Sequence, residues 1–208
     1  DGTAAGTRMF DMNTFGGGIW VTPIGAGSNT VWAADDGMQI DGKHGNELWI
    51  SNGTASGTSL VDINQTSWYN GGNSYPGGFI KNGNLTFFTA RNATNGNELW
   101  QTDGTTAGST LVADINPNTE NSNADMFVVA GNRYFFRAYT PQYGWELYTS
   151  TSATGSATLV KDIRVNGDSW PDYFMASGNK LYFRADDGLR GRELWVTDGT
   201  SPGTQIVK

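Results

Sequence analysis

The chain has 208 residues, enough to bury a sizeable core, with a formal net charge of −7, a single His and no Cys. The acidity has the wrong sign for a nucleic-acid binder, which needs a basic stripe to displace counterions. The absence of Cys removes disulfides and thiol chemistry, and no apolar run approaches the ~20 residues that cross a bilayer, so no membrane insertion is expected.

The 29 Gly, 8 Trp, 8 Tyr and 10 Phe favour short strands joined by tight turns over helices. The chain opens with DGTAAGTRMFDMN at 1–13, an apolar run Gly18-Ile19-Trp20-Val21, and the strand-like SNTVWAA at 28–34. ELWISNGTASGTSLVDI then begins at Glu47. The same phrase returns as ELWQTDGTTAGSTLVADI from Glu98, ELYTSTSATGSATLVKDI from Glu146 and ELWVTDGTSPGTQIVK from Glu193. These glutamates lie 51, 48 and 47 residues apart, and 1–13 matches the back half of the phrase. The spacing marks a tandem repeat.

Between the copies a second phrase recurs, GNLTFFTA at 83–90, GNRYFFRA at 131–138 and GNKLYFRA at 178–185. Each is preceded by an apolar run: Gly78-Phe79-Ile80, Met126-Phe127-Val128-Val129 and Tyr173-Phe174-Met175. A period therefore holds four strand-like segments, A (the apolar run), B (the FF-R-A segment), C (the ELW segment) and D (the GTxxVxDI segment). Gly-Asn between A and B is a tight-hairpin signature. D-G-T-x-x-G-T between C and D supplies glycines where φ must turn positive. No window shows a helical period.

Four antiparallel strands per ~50 residues in tandem predict an all-β fold, a β-propeller of four-stranded antiparallel blades, over a single domain. Four full blades are expected at 18–64, 78–116, 126–165 and 173–208, with 1–13 a surplus outer strand. The competing architecture, a β-solenoid, has shorter periods and no hairpin turns. Alternation places Glu47 and Trp49 on one face of strand C and Leu48 on the other. Trp49, Trp100, Tyr148 and Trp195 are then expected to hold neighbouring blades together.

The phrase resembles the ELWxxDGT repeat of large secreted or surface-attached bacterial proteins. The third copy departs from it, with Tyr148 for Trp and Thr151-Ser152-Ala153 for Asp-Gly-Thr, so that hairpin should be less regular. The resemblance implies an extracellular or cell-surface, β-rich module and attaches no catalytic or ligand-binding residues to the motif. Four glycosylation sequons, at Asn52, Asn64, Asn84 and Asn92, matter only in a source that glycosylates Asn.

In an A-B-C-D blade the A–B and C–D hairpins emerge on one face, and the B–C and D–A connections on the other. The hairpin face repeats its sequence; the other is irregular, and recognition concentrates in such loops. Candidate ligand-binding residues there are Trp68, Tyr69, Tyr75, Tyr143 and Trp170. Such rings suit stacking on a glycan or anchoring a cell-surface protein. The alternative use of the same rings is to plug the ring's centre.

Glu47, Glu98, Glu146 and Glu193 recur at one scaffold position and read as structural. Arg137 and Arg184 are expected to pair with Glu146 and Glu193 across the hairpin, leaving Glu47 and Glu98 to find other donors. Asp35, Asp36 and Asp41, or Asp186 and Asp187, offer oxygens suited to Ca²⁺, but their spacing fits turn chemistry better. His44 alone builds neither a His-based zinc site nor a Ser-His-Asp triad. The expected function is a non-catalytic extracellular recognition module. The alternative is a structural or assembly module whose surplus edge strand links copies into oligomers or filaments. No enzyme activity is expected.

Overall fold

A computed structural model describes residues 21–37, 44–65, 72–151 and 156–207. Among them all regular structure is strand. The surplus segment 1–13, the apolar run at 18–20, Asp41, Trp68, Tyr69 and Ser152-Ala153 lie outside the described residues.

Sixteen strands among the described residues form four sheets, each of four consecutive antiparallel strands. Blade 1 holds β1 (Ile24–Ala26), β2 (Asn29–Asp35), β3 (Asn46–Ser51) and β4 (Thr58–Val61). Blade 2 holds β5 (Gly77–Asn82), β6 (Leu85–Asn92), β7 (Gly96–Thr102) and β8 (Thr110–Ala113). Blade 3 holds β9 (Asp125–Ala130), β10 (Arg133–Thr140), β11 (Gly144–Ser150) and β12 (Thr158–Lys161). Blade 4 holds β13 (Asp172–Ser177), β14 (Lys180–Asp186), β15 (Arg192–Thr197) and β16 (Gln205–Ile206). Antiparallel pairing throughout excludes the parallel coils of a solenoid. In blade 1 the strand paired with β2 is Ile24–Ala26, next to the Gly27-Ser28 turn and beyond the apolar run at 18–21.

The blades stack in chain order, and the three apolar clusters are the three seams between them. Leu48, Ile50 and Val61 of blade 1 meet Phe88, Ala90 and Trp100 of blade 2. Phe87, Leu99 and Val112 meet Phe136, Ala138 and Tyr148 of blade 3. Phe135, Leu147 and Val160 meet Phe183, Ala185 and Trp195 of blade 4. Alternation along strands B and C sends one set of residues to each side of a sheet, so both faces are apolar. A buried ring at each seam contributes roughly 2–3 kcal/mol. Inner strands follow the same order: β1 lies against β5, β5 against β9 and β9 against β13.

The D-G-T segments build one turn three times. Asp103 Oδ1 accepts from the Thr105 amide at 2.9 Å and its hydroxyl at 2.7 Å, and the Gly108 amide donates to that hydroxyl at 3.0 Å. Asn52 with Thr54 and Asp198 with Thr200 repeat the pattern. The turn also clasps the preceding blade. Gly104 packs against the Ala26 carbonyl, where a side chain would collide, and its own carbonyl accepts from Asn29 Nδ2 at 2.7 Å.

Candidate functional site

The opposite face is more regular than its sequence. Three D–A linkers end in the same six-residue course: Asn73 to Gly78, Asn121 to Met126 and Asp168 to Tyr173. The serine in each, Ser74, Ser122 or Ser169, is fully buried. Its amide donates to a carbonyl at the start of strand C, of Asn46, Asn97 or Trp145, at 2.9, 3.1 and 3.1 Å. Its carbonyl accepts from the end of strand B in the next blade, from Arg91, Tyr139 or Asp186, at 2.8, 2.8 and 2.9 Å. The preceding Asn73, Asn121 or Asp168 accepts the amide of that same strand C residue at 2.6, 2.7 and 2.9 Å. Each linker is thus a clip joining two blades by four polar contacts or more. An Asn-Ser or Asp-Ser dipeptide at matching places was the available signal.

The recurring glutamates belong to these clips. Glu47 accepts from the Ser74 hydroxyl and the Ile63 amide. Glu98 accepts from the amides of Ile115 and Ser122, both at 2.9 Å. Glu146 accepts from the Ser169 hydroxyl at 2.6 Å and the Arg164 amide at 3.2 Å. All three are fully buried. Burial raises their carboxyls, Glu47 to about 8 and Glu98 and Glu146 to about 7, against the opposing effect of these donors.

The expected arginine pairs are corrected. Arg137 forms a two-pronged pair with Asp125, at 2.9 and 2.6 Å, and Arg184 does so with Asp172, at 2.8 and 2.7 Å. The register explains it: Ala138 and Ala185 oppose Glu146 and Glu193, so each arginine points to the other side of its sheet. A bulge in strand A brings Asp125 and Asp172 opposite the arginines.

At the residue after the serine the backbone is left-handed: Tyr75, Asn123 and Trp170 have φ of 46°, 47° and 47°. That conformation lifts a side chain out of the clip. Trp170 is 39% exposed and stacks on Trp145, with centroids 5.5 Å apart. The Arg137 guanidinium lies 4.9 Å from the Trp145 ring and 5.7 Å from that of Trp170, and Tyr139 leans on Trp145 at 5.8 Å. Tyr75, 55% exposed, edges a cleft of about 360 Å³ lined by Asp35, Asn46, Asn73 and Pro76. The two rings occupy equivalent positions on different blades. Tyr143 is half-buried in the turn after β10, its amide directed to Thr140. Of the expected platform, Tyr75 and Trp170 are presented; Trp145, Tyr139 and Arg137 complete the second cluster and were not anticipated.

The acidic loops are engaged locally. Asp36 accepts from the amides of His44 and Gly45, Asp186 pairs with Arg164, and Asp187 caps the turn through Leu189 and Arg190. Among the described residues no three acidic or histidine side chains gather as a metal site.

No protein-family model matches the chain, and no curated protein matches it significantly. Solved structures do. A puromycin hydrolase is similar at a TM-score of 0.53 and 13% identity, over 88% of this chain and 28% of that one. The β-propeller domain of the Trilobed protease from Pyrococcus furiosus, described as having an open velcro topology, is similar at 0.50 and 12% identity. It is matched over 90% of this chain and 54% of its own. The fold is a β-propeller. At these identities the likeness concerns the fold alone. It nonetheless corrects the expectation of no enzyme activity, because propellers of this build occur within hydrolases. Lacking a catalytic motif in one propeller segment therefore does not set a protein apart from enzymes.

Proposed function

We propose that the linker-bearing face of this propeller is a recognition surface, and that a glycan displayed outside the cell is its ligand. The observation that carries the reading is the Trp145–Trp170 stack with Arg137 packed against both rings. Trp170 is held there in a left-handed backbone conformation that a tryptophan adopts at a cost of roughly 1–2 kcal/mol. A ring kept in a costly conformation and left part-exposed serves contact better than packing. The apolar faces of sugar rings stack on such aromatics, while Asp125 and, at the Tyr75 cleft, Asp35 and Asn73 offer hydrogen-bonding partners for hydroxyls. The reading applies equally to a free-standing module and to a propeller domain beside a catalytic domain.

A glycan array probed with the native chain and with Trp170→Ala tests it. The expected result is binding by the native chain and at least tenfold weaker binding by the variant, with the thermal transition retained. A blank array, with a surface protein recovered in a pull-down instead, would assign the face to protein recognition and overturn the glycan reading. Equal binding by both forms would remove Trp170 from the site.

A further inference from the structure

Asn-Gly pairs at 52–53, 82–83, 95–96 and 166–167 fall among the described residues. Asparagine is thermolabile, and a following glycine leaves its own backbone nitrogen unshielded beside the asparagine Cγ. At 52–53 the pair sits in an Asx-Gly-Thr turn. Asn52 Oδ1 accepts from the Thr54 amide at 3.0 Å and its hydroxyl at 2.7 Å. Asp103 and Asp198 hold the equivalent oxygen at 2.9 and 2.7 Å from the same two donors. Asn52 Nδ2 lies over Gly57 as the second oxygens of those aspartates lie over Gly108 and Gly203. The turn therefore uses the oxygen of Asn52, and its place for the nitrogen suits a carboxylate oxygen equally.

The other pairs are built differently. At 95–96 both ends of the asparagine amide are engaged, by Asn92 and Asp114, and Gly96 packs on the Glu120 carbonyl. At 166–167 the Arg164 side chain lies over Gly167, whose amide donates to the Arg164 carbonyl. Asn82 is held in β5. Asn92 has two amides on its Oδ1, from Thr94 and Asn95, but Ala93 follows it. Asn52 alone among these joins two donors on Oδ1 to a following glycine. It is also exposed, with nothing within 4 Å of the place a Gly53 side chain would take.

We propose that Asn52 is a self-modifying site, which the turn converts to aspartate by intramolecular acyl transfer without an enzyme. The Gly53 nitrogen adds to Asn52 Cγ, an attack favoured by its being within one chain. Negative charge develops on Oδ1, where the two Thr54 donors stabilise it as an oxyanion hole does. The Gly53 N–H donates to Ser51 Oγ at 3.0 Å, the first acceptor on its proton's way out. The bond from Cγ to the Gly53 nitrogen forms, the Cγ–Nδ2 bond breaks, and Nδ2 leaves as ammonia with a proton taken up, giving a cyclic imide. Water then adds to Cγ, the carbonyl that Thr54 polarises; the bond to the Gly53 nitrogen breaks and that nitrogen regains a proton. Amide and water have become carboxylate and ammonium, and the chain gains one negative charge. Addition at the imide's other carbonyl would give isoaspartate, whose extra backbone methylene the turn does not fit. The aspartate is welcome: the Thr200 donors hold the Asp198 carboxyl below the usual carboxylate range, so the charged form is the one the turn favours.

Peptide mapping by mass spectrometry, on the native chain kept in mildly alkaline buffer, tests this. Conversion is expected at 52 ahead of 82, 92, 95 and 166, with aspartate exceeding isoaspartate. Thr54→Val, which keeps shape and loses the hydroxyl donor, should convert about tenfold more slowly, less than a buried oxyanion donor is worth in an enzyme. Thr54 is exposed, and an unchanged circular dichroism spectrum checks that the variant folds. Asn52→Asp should melt at or above the temperature of the native chain. Earlier conversion at another of these asparagines overturns the proposal, as does a majority of isoaspartate at 52. So do a Thr54→Val chain that converts as fast as the native one and an Asn52→Asp chain that melts lower.

Discussion

The two faces of the propeller carry equally regular backbones and unequally regular side chains. On the hairpin face the Asx-Gly-Thr turns at 52–54, 103–105 and 198–200 repeat both path and residues. On the linker face the serine clips repeat the path just as closely, yet the residues beside them change from blade to blade. Tyr75, Asn123 and Trp170 share one backbone conformation, as do Asp35, Arg91, Tyr139 and Asp186 one place at the end of strand B. The hairpin face spends its side chains on the turn itself, because Asp or Asn must accept two donors from Thr. The clip draws its hydrogen bonds from backbone, serine and glutamate, which leaves neighbouring positions free to vary. Regular geometry with variable chemistry is what a recognition surface requires.

The hairpin side of the comparison is tested hardest at its glycines. Gly104 and Gly53 occupy the same turn position, with φ of 87° and 88°. A side chain at Gly104 would meet the Ala26 carbonyl of the neighbouring blade, whereas at Gly53 nothing lies within 4 Å. Gly53→Ala should cost about 1 kcal/mol, the left-handed backbone alone. Gly104→Ala adds a clash with backbone that cannot rotate away, and should cost about 3 kcal/mol or more. At roughly 2–4 °C per kcal/mol for a domain of this size, the two melting temperatures separate by several degrees. Equal losses would show that the turn does not bear on the adjacent blade.

Much of this was legible in the sequence. The period of the ELW phrase, the Gly-Asn hairpins and the alternation in strands B and C gave four blades and the seam rings Trp100, Tyr148 and Trp195; Trp49 joins none of the three described seams. The clip was hidden because Asn73-Ser74, Asn121-Ser122 and Asp168-Ser169 are dipeptides in unlike surroundings, aligned only once the sheets are in place. The arginine pairings were misjudged because a bulge in strand A, at Met126 and Tyr173, brings Asp125 and Asp172 opposite Arg137 and Arg184. Alternation in a regular ladder gives no warning of that. The pairing of Ile24-Gly25-Ala26 with β2 was not anticipated, since it is a weaker apolar run than 18–21. Of the site, single exposed rings could be picked out in loops, but the stack of Trp170 on Trp145 depends on which linker crosses which strand.

The linker side yields an effect of intermediate size through pH. In the folded chain Glu47, Glu98 and Glu146 hold their protons to about 7–8, because burial disfavours the charged form; unfolded, they release them near 4.5. Between these values the folded state binds more protons, so stability falls as pH rises from about 4.5 to 8. Asp172, Asp187 and Asp198 shift the other way and act only as pH falls below the usual carboxylate range. Melting temperature measured between pH 5 and 8 should decline. Replacing all three glutamates by glutamine, which mimics the protonated form, should flatten the profile. A profile that rises over this window, or one unchanged by the replacements, would mean that the clips hold charged carboxylates.

The smallest expected effect bears on the variable residues themselves. Tyr75 sits at φ 46° with more than half its surface exposed. Glycine takes that conformation freely, whereas a tyrosine there is disfavoured by roughly 1–2 kcal/mol. Glycine also loses about 0.5–1 kcal/mol more entropy on folding. The two nearly cancel, so Tyr75→Gly should leave the melting temperature unchanged or raise it by one or two degrees. A ring that served as packing would instead cost about 3 kcal/mol on removal, a loss of many degrees. A neutral or stabilising outcome means that stability does not account for a tyrosine at this position. What then keeps it is whatever enters the cleft formed with Asp35 and Asn73, and the variant should weaken that binding while the clip beneath, through Ser74 and Asn46, stays closed.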